Sequence, residues 1–182
     1  MKRSITITGA LGSGKSTVAK KIANDLGLIY YSTGQAQRAI AQRMGITTLK
    51  LNKLAETDKS IDDKIDGVIK KMNNDGQLYV VDSRLAWYFM PASLKIKLNV
   101  SPEEAAKRIF NDTLRQGEKN YNTEKEVLSE IRQRRQSERE RFLQYYHIDI
   151  EDESNFDLII DTTNLTIDEV CNRIYAIYNH IS

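Results

Sequence analysis

The stretch Gly9–Thr17, GALGSGKST, fits the spacing G-x-x-x-x-G-K-[ST]. Each residue type in it has a chemical reason to be there. Glycines let successive backbone N–H groups converge on one point, where they can cradle phosphate oxygens. The candidate phosphate loop therefore comprises Gly9, Ala10, Leu11, Gly12, Ser13, Gly14, Lys15, Ser16 and Thr17. Lys15 is placed to reach the outer phosphates of a nucleoside triphosphate, and Ser16 to ligate Mg²⁺. A helix opening straight after the loop adds the positive end of its dipole. The plain alternative is a glycine-rich turn with a chance lysine. The β-branched run before the motif and the helical period after it favour the cradle. Asp82 closes the run LYVVD. There it can hold Mg²⁺ through water or simply cap the next turn.

Arg132–Arg141, RQRRQSERER, contains five arginines, two glutamates and no apolar side chain. Its flanks are apolar at helical spacing: Val127, Leu128 and Ile131 before, Phe142, Leu143, Tyr145 and Tyr146 after. On a helix, Arg134, Glu138 and Arg141 share one face. A solvated face is one reading, since i,i+4 pairs such as Arg134–Glu138 are worth ~0.2–0.5 kcal/mol in isolation. A nucleic-acid groove is a second, opposed by the interleaved glutamates and a net charge of only +2. The third is a site for a second polyanion. Bringing a triphosphate against another phosphate crowds negative charge that one Mg²⁺ and one lysine leave uncompensated. Guanidinium groups neutralise it with bidentate geometry, and an arginine at a transferring phosphoryl group is worth ~10³ or more in rate. A phosphate acceptor, with a second pKa near ~6, is already largely deprotonated. The sequence shows no evident base, with His147 and His180 far along the chain. That favours a phosphate acceptor over a hydroxyl, with Asp82 left as a candidate base for some other small molecule.

These residues need a frame. Ser4–Thr8, Leu28–Ser32, Leu78–Asp82, Leu94–Val100 and Asp157–Asp161 read as strands. Lys15–Leu26 reads as a helix with Val18, Ala19, Ile22, Ala23 and Leu26 on one face, stopped by Gly27. Residues 35–75 read as mostly helical, with Ile61, Ile65, Val68, Ile69 and Met72 as an apolar stripe. Ser101, Pro102 and Glu104 form a capping-box arrangement at another helix start. The last helix begins near Ile167, with Ile167, Val170, Ile174, Ile177, Tyr178 and Ile181 inward. Residues 112–124 read as a mobile polar excursion. Alternating strands and helices imply a parallel sheet covered on both faces, right-handed crossovers and ligands at the carboxyl ends of the strands.

A length of 182 residues fits one domain, and 40% hydrophobic with 29% charged residues fits a soluble globular chain. Cys171 is the only cysteine, so no internal disulfide can form, which fits a reducing cytosol. The N-terminus is a poor signal peptide, and no apolar run approaches the ~20 residues that span a bilayer. The expectation is a cytoplasmic chain, a monomer rather than an oligomer, whose partners are small molecules and neither nucleic acid nor membrane.

The chain also resembles the nucleoside monophosphate kinases, most closely the short cytidylate kinases of the archaeal type. The similarity runs nearly end to end. It takes in the cradle, STGQAQR (Ser32–Arg38), VVDSRLAW (Val80–Trp87), RQSERERF (Arg135–Phe142), YYHIDIED (Tyr145–Asp152) and FDLIIDTTNLT (Phe156–Thr166). SRLAW and HIDIEDES are more specific than the cradle. The resemblance implies an α/β P-loop NTPase three-layer sandwich, with a five-stranded parallel sheet of order 2-3-1-4-5. It implies one kinase domain over 1–182, with an acceptor-binding arm at 35–75 and a lid at 110–126. The implied reaction takes phosphate from ATP, with Mg²⁺, to CMP or dCMP.

Carried over position by position, the resemblance implies that Ser32 and Gly34 lead into the acceptor-binding helix, and that Arg38 and Arg84 hold the acceptor's phosphate or sugar. It implies that Arg134 and Arg141 bridge the phosphates of donor and acceptor, and that Glu138 binds the acceptor's sugar or orients the arginines, with Arg108 as a lid-side arginine. Bacterial cytidylate kinases carry an aspartate where this chain has Leu85, and a longer pyrimidine-reading insert that it lacks. Its lid excursion is longer than in the archaeal type. These departures bear on the base rather than the reaction. A kinase for AMP, UMP or a non-nucleotide metabolite stays open, as does a nucleotide-binding regulatory module without turnover.

Overall fold

A computed structural model describes residues 2–112 and 121–181 of the chain. The strands are β1 (Ile5–Gly9), β2 (Ile29–Ser32), β3 (Tyr79–Asp82), β4 (Leu94–Asn99) and β5 (Leu158–Asp161). They form one parallel sheet in the order β2-β3-β1-β4-β5, as the resemblance implies. The helices are α1 (Lys15–Leu26), α2 (Thr33–Arg43), α3 (Thr48–Ala55), α4 (Ser60–Met72), α5 (Ala86–Phe89), α6 (Pro102–Phe110), α7 (Glu124–Tyr146) and α8 (Ile167–Ile181).

The period-2 alternation of the strands sorts side chains into layers. Ile5, Ile7, Val80, Leu94, Ile96, Leu98 and Ile160 face α1 and α8, where Val18, Ile22, Val170 and Ile174 meet them. Tyr79 and Val81 point the other way, to Ile69 of α4 and to Ala86 and Met90 at α5. On that face β1 carries hydroxyls. Thr6 Oγ1 lies 3.0 Å from Ser93 Oγ, and Thr8 Oγ1 donates to the carbonyl of Arg84 at 3.3 Å. A sheet covered on both faces is thus apolar on one and carries buried, hydrogen-bonded hydroxyls along β1 on the other.

The expected helix over Lys15–Leu26 forms, bounded by Gly14 and Gly27 in the left-handed region. Ile61, Ile65 and Ile69 are buried, but Val68 is 38% exposed, so the stripe read on α4 needs correcting. At ~100° per residue the buried arc of α4 is turned toward Asp62 and Asp66, and Val68 falls on its outer rim. The capping box at α6 is half made. Ser101 Oγ accepts from Glu104 N, while Glu104 pairs with Arg108 and Ser101 N donates to Thr163 Oγ1. In α8, Val170, Ile174 and Tyr178 are buried and Ile167 and Ile177 pack at the margin, with the side chain of Ile181 outside the described residues. Residues 113–120 of the expected lid, 110–126, also lie outside them.

Ile96 sits on a strand flanked on both sides and is fully buried. Ile96→Ala should lower unfolding stability by ~2–5 kcal/mol. A urea midpoint shifted with unchanged slope is the expected result, and a loss under ~0.5 kcal/mol would contradict this packing.

Candidate active site

The phosphate loop is built by close packing as much as by its own turn. A Cβ at Gly9 would lie 2.2 Å from the carbonyl oxygen of Leu98, so only glycine lets β1 end against β4. Gly12 has φ +77°, and a Cβ there would come within 2.8 Å of Ala105 in α6. Lys15 Nζ donates to the carbonyl of Ala10 at 3.0 Å, folding back over its own loop. Ser16 Oγ donates to Asp82 Oδ2 at 2.5 Å, and Ser32 Oγ donates to the same oxygen at 3.3 Å. A hydroxyl and a carboxylate side by side are hard oxygen donors. They suit Mg²⁺, which takes oxygen ligands at about 2.0–2.1 Å and fills its shell with water and substrate phosphates. Ser16 and Asp82 are therefore the residues that could hold it.

Helix α7 supplies the opposite wall. Thr123 caps its start by accepting from Glu126 N, and His147, in the left-handed region, closes its end. Val127 and Ile131 anchor one end against Ala105, Ala106 and Ile109 of α6. Phe142 anchors the other against Leu85 and Trp87. The polar decade between these anchors spans the cleft, and it divides by face. Arg135 and Arg139 turn to the segment after the helix, each with two hydrogen bonds, to Glu151 at 2.7 and 2.6 Å and to Asp149 at 3.1 and 2.7 Å. Arg132 is exposed. Arg134, Glu138 and Arg141 face the cleft that also holds Lys15, Ser16, Asp82 and Arg84.

Glu138 is the centre of this wall. It is 7% exposed and takes Arg84 Nε at 2.7 Å and Arg134 Nε at 3.0 Å on its two oxygens. Burial pushes its pKa up. Arg84 and Arg134, with the hydrogen bond from Arg134, outweigh that and hold it at about 2. A fixed anion thus clamps two guanidinium groups from separate segments. Arg84 itself is steadied from behind, because Trp87 Nε1 and Thr8 Oγ1 both donate to its carbonyl. Arg84 Nη1 is buried with no hydrogen-bond partner among the described residues. A buried, unpaired guanidinium nitrogen is costly unless something anionic reaches it. Lys15 feels the same field: burial first, then Arg84, lowers its pKa to about 7.

The structure brings Lys15, Ser16, Ser32, Gly34, Arg38, Asp82, Arg84, Arg134, Glu138 and Arg141 to one cleft of about 810 Å³, its open mouth included. Arg38 is exposed at its rim. Arg141 is buried, with Nε 3.2 Å from Asp62 Oδ2 and Nη1 donating to the carbonyl of Asn52 at 3.3 Å, so its charge is already matched by the helices of 35–75. Arg108 lies apart, over the adjoining cleft at Gly12–Val18. Its guanidinium donates to Glu104 Oε1, to the carbonyls of Gly12, Thr162 and Thr163 and to Thr162 Oγ1, tying the phosphate loop to the turn after β5. Sequence reasoning missed Asp62, Asp66 and Tyr146. Asp62 and Asp66 line the same cleft, and Tyr146 donates to Asp66. The available signal was a pair of i,i+4 aspartates set against an apolar stripe.

Residues 4–164 match the model of the cytidylate kinase-like family. The cytidylate kinase of Sulfolobus acidocaldarius is 40% identical over 175 residues, 95% of this chain and 92% of that protein. The cytidylate kinase of Sulfurisphaera tokodaii is 37% identical over 177 residues, 96% of this chain and 94% of that one. Among solved structures, shikimate kinase from Bacteroides thetaiotaomicron superposes with a TM-score of 0.65 at 16% identity, covering 98% of this chain and 99% of that chain, a likeness of fold. With a phosphate cradle and a clamped arginine pair facing each other across one cleft, the chain belongs to the cytidylate kinase-like family.

Proposed function

We propose that this protein transfers the γ-phosphoryl group of ATP to a nucleoside monophosphate, with CMP or dCMP as the acceptor. One observation carries the reading: Glu138 holds Arg84 and Arg134 in the wall opposite Lys15, with the buried Arg84 Nη1 lacking a hydrogen-bond partner among the described residues. That is a site for two polyanions rather than one. The names of the relatives support the choice of acceptor.

The roles follow from position. Backbone N–H groups of Gly9–Thr17 hold the donor's β- and γ-phosphates, and Lys15 leaves the carbonyl of Ala10 for their oxygens. Arg108 positions the loop from the donor side. Arg84 and Arg38 hold the acceptor phosphate, with Ser32 and Gly34 at the turn into α2. Arg134 lies between the two phosphates, kept in place by Glu138. Arg141, at the end of the row, faces the acceptor. Mg²⁺, held by Ser16 and Asp82 with phosphate oxygens, would neutralise charge developing on the leaving group. An oxygen of the acceptor phosphate forms the new bond to the γ-phosphorus as the bond to the ADP oxygen breaks. No proton need leave the acceptor, because its phosphate is already a dianion near neutral pH. The helices of 35–75 serve as the acceptor arm and 110–126 as a lid, so closure excludes the water that would otherwise compete.

An acceptor panel with ATP decides between this and its rivals. CMP and dCMP should stimulate ADP release above UMP, AMP and non-nucleotide acceptors such as shikimate. ATP binding with no stimulation by any acceptor would mean a regulatory module instead. Lys15→Ala and Arg134→Ala should each cut turnover by ~10² or more with the circular dichroism spectrum kept, and wild-type rates in either would contradict these roles. The state of Lys15 gives a separate check. Bound phosphates should return its pKa from about 7 toward the ordinary lysine value. Binding at pH 8 then takes up a proton, and ATP affinity falls as pH rises through 7. Calorimetry in two buffers of different ionisation heat should show that uptake in the wild type and its loss in Lys15→Ala. Proton release would contradict it.

A further inference from the structure

The far end of the cleft is lined by two carboxyl groups to which the phosphate chemistry gives no role. Asp62 and Asp66 are four residues apart on α4, so they share a face. They are 5% and 6% exposed, yet both open on the cleft. Buried aspartates are uncommon unless paired. Asp62 Oδ2 lies 3.2 Å from Arg141 Nε, but the two are not aligned as a hydrogen bond, and that oxygen has no donor among the described residues. Asp66 Oδ2 accepts from the Tyr146 hydroxyl. Acceptor capacity therefore remains on both side chains, beside the apolar walls Ile65, Leu85 and Phe142.

Distance along α7 places this end. Arg134 to Arg141 covers ~10 Å and Arg134 to Tyr146 ~18 Å, at ~1.5 Å per residue. That span brackets a nucleoside monophosphate laid with its phosphate at Arg134 and its base toward Asp62 and Asp66. We propose that Asp62 and Asp66 form the base-reading end of the acceptor site and select an amino-bearing pyrimidine by accepting both hydrogens of its exocyclic amine. This rests on the kinase reading above. A uracil in the same place turns a carbonyl oxygen toward two carboxyl groups, leaving acceptors facing an acceptor. A site built to receive a donor rejects the analogue that lacks it far more strongly than an apolar pocket rejects a change of size.

The selection carries its own pH dependence. Burial pushes Asp66 up to about 6, against the hydrogen bond from Tyr146 and with the charge of Asp62 adding to the rise. Burial raises Asp62 too, opposed by Arg141. The other groups bearing on the pair are Asp63, Lys59 and Lys70 at α4, Glu138 of α7 and Tyr31 of β2, with Arg38 of α2 on the same cleft. The remaining neighbours of α4 bring Lys50 and Lys53 from α3 and Tyr88 from α5, all exposed. Below pH 6 Asp66 gains a proton and can donate, so it tolerates a carbonyl. Above pH 6 it is acceptor only.

The test is the ratio of kcat/KM for CMP to that for UMP, measured from pH 5 to pH 8 by chromatographic separation of products. Titration of Lys15 and of the acceptor phosphate is common to both substrates and cancels in the ratio. In the wild type the ratio should rise severalfold through pH 6 and then level. Asp66→Asn, whose amide can donate at any pH, should lower the ratio at pH 7.5 at least tenfold and flatten the profile. Asp62→Asn should lower the ratio as well, and in both variants the KM for ATP should hold. Wild-type turnover with a flat ratio across this range overturns the assignment without any variant, and so does an unchanged ratio in both folded variants. No turnover on any monophosphate overturns the kinase reading and this one together.

Discussion

The wall of the cleft depends on one buried carboxylate. Glu138 lies between the guanidinium groups of Arg84 and Arg134, at 2.7 and 3.0 Å. Burying such a triad costs desolvation energy that its mutual attraction need not recover. What the arrangement yields is position. Arg84 comes from the loop after β3 and Arg134 from α7, far apart in sequence. Without an anion between them, two like charges at this separation would repel and turn outward. With it, both are held still, and Arg84 Nη1, with no hydrogen-bond partner among the described residues, is left for a ligand. Placing donors before charge arrives is what a phosphoryl-transfer site requires of its protein, since there is little covalent chemistry for it to do.

The rest of the fold can be read as support for that wall. The cradle is fixed by the tight approach of β1 to β4 at Gly9 and by α6 against Gly12. Helix α7 is held at both ends by apolar clusters and along its outer face by Asp149 and Glu151. That outer grip takes up Arg135 and Arg139, while Arg134, Glu138 and Arg141 face the cleft. Lys97 of β4 steadies the gripping segment in turn, donating to the carbonyls of Ile150 and Glu151 from an almost fully buried position.

Much of this was legible in the sequence. Strand positions came from apolar, largely β-branched runs, helix α1 from its period and its stop at Gly27, and the sheet order from the resemblance. The loop Gly9–Thr17 and the shared face of Arg134, Glu138 and Arg141 followed from spacing alone. What stayed hidden depended on tertiary context. The division of labour among the arginines needs the 149–151 segment, which no periodicity announces. The buried arc of α4 is rotated off the apolar stripe because Arg141 and Tyr146 lie against its acidic side, so Val68 is exposed while Asp62 and Asp66 are covered. Glu104 left its expected partner because Arg108 offers it a full charge.

The contacts between α4 and α7 have a consequence for motion. The region from α3 to α4 is fastened to α7 by Arg141 on Asp62, by Tyr146 on Asp66, and by Ser137 and Tyr145 on Glu56. The two carboxyl groups in this seam keep acceptor capacity to spare, so a guest reaching them need not part the helices. It would instead add a further stitch between α4 and α7, with the Glu56 contacts unchanged at the other end.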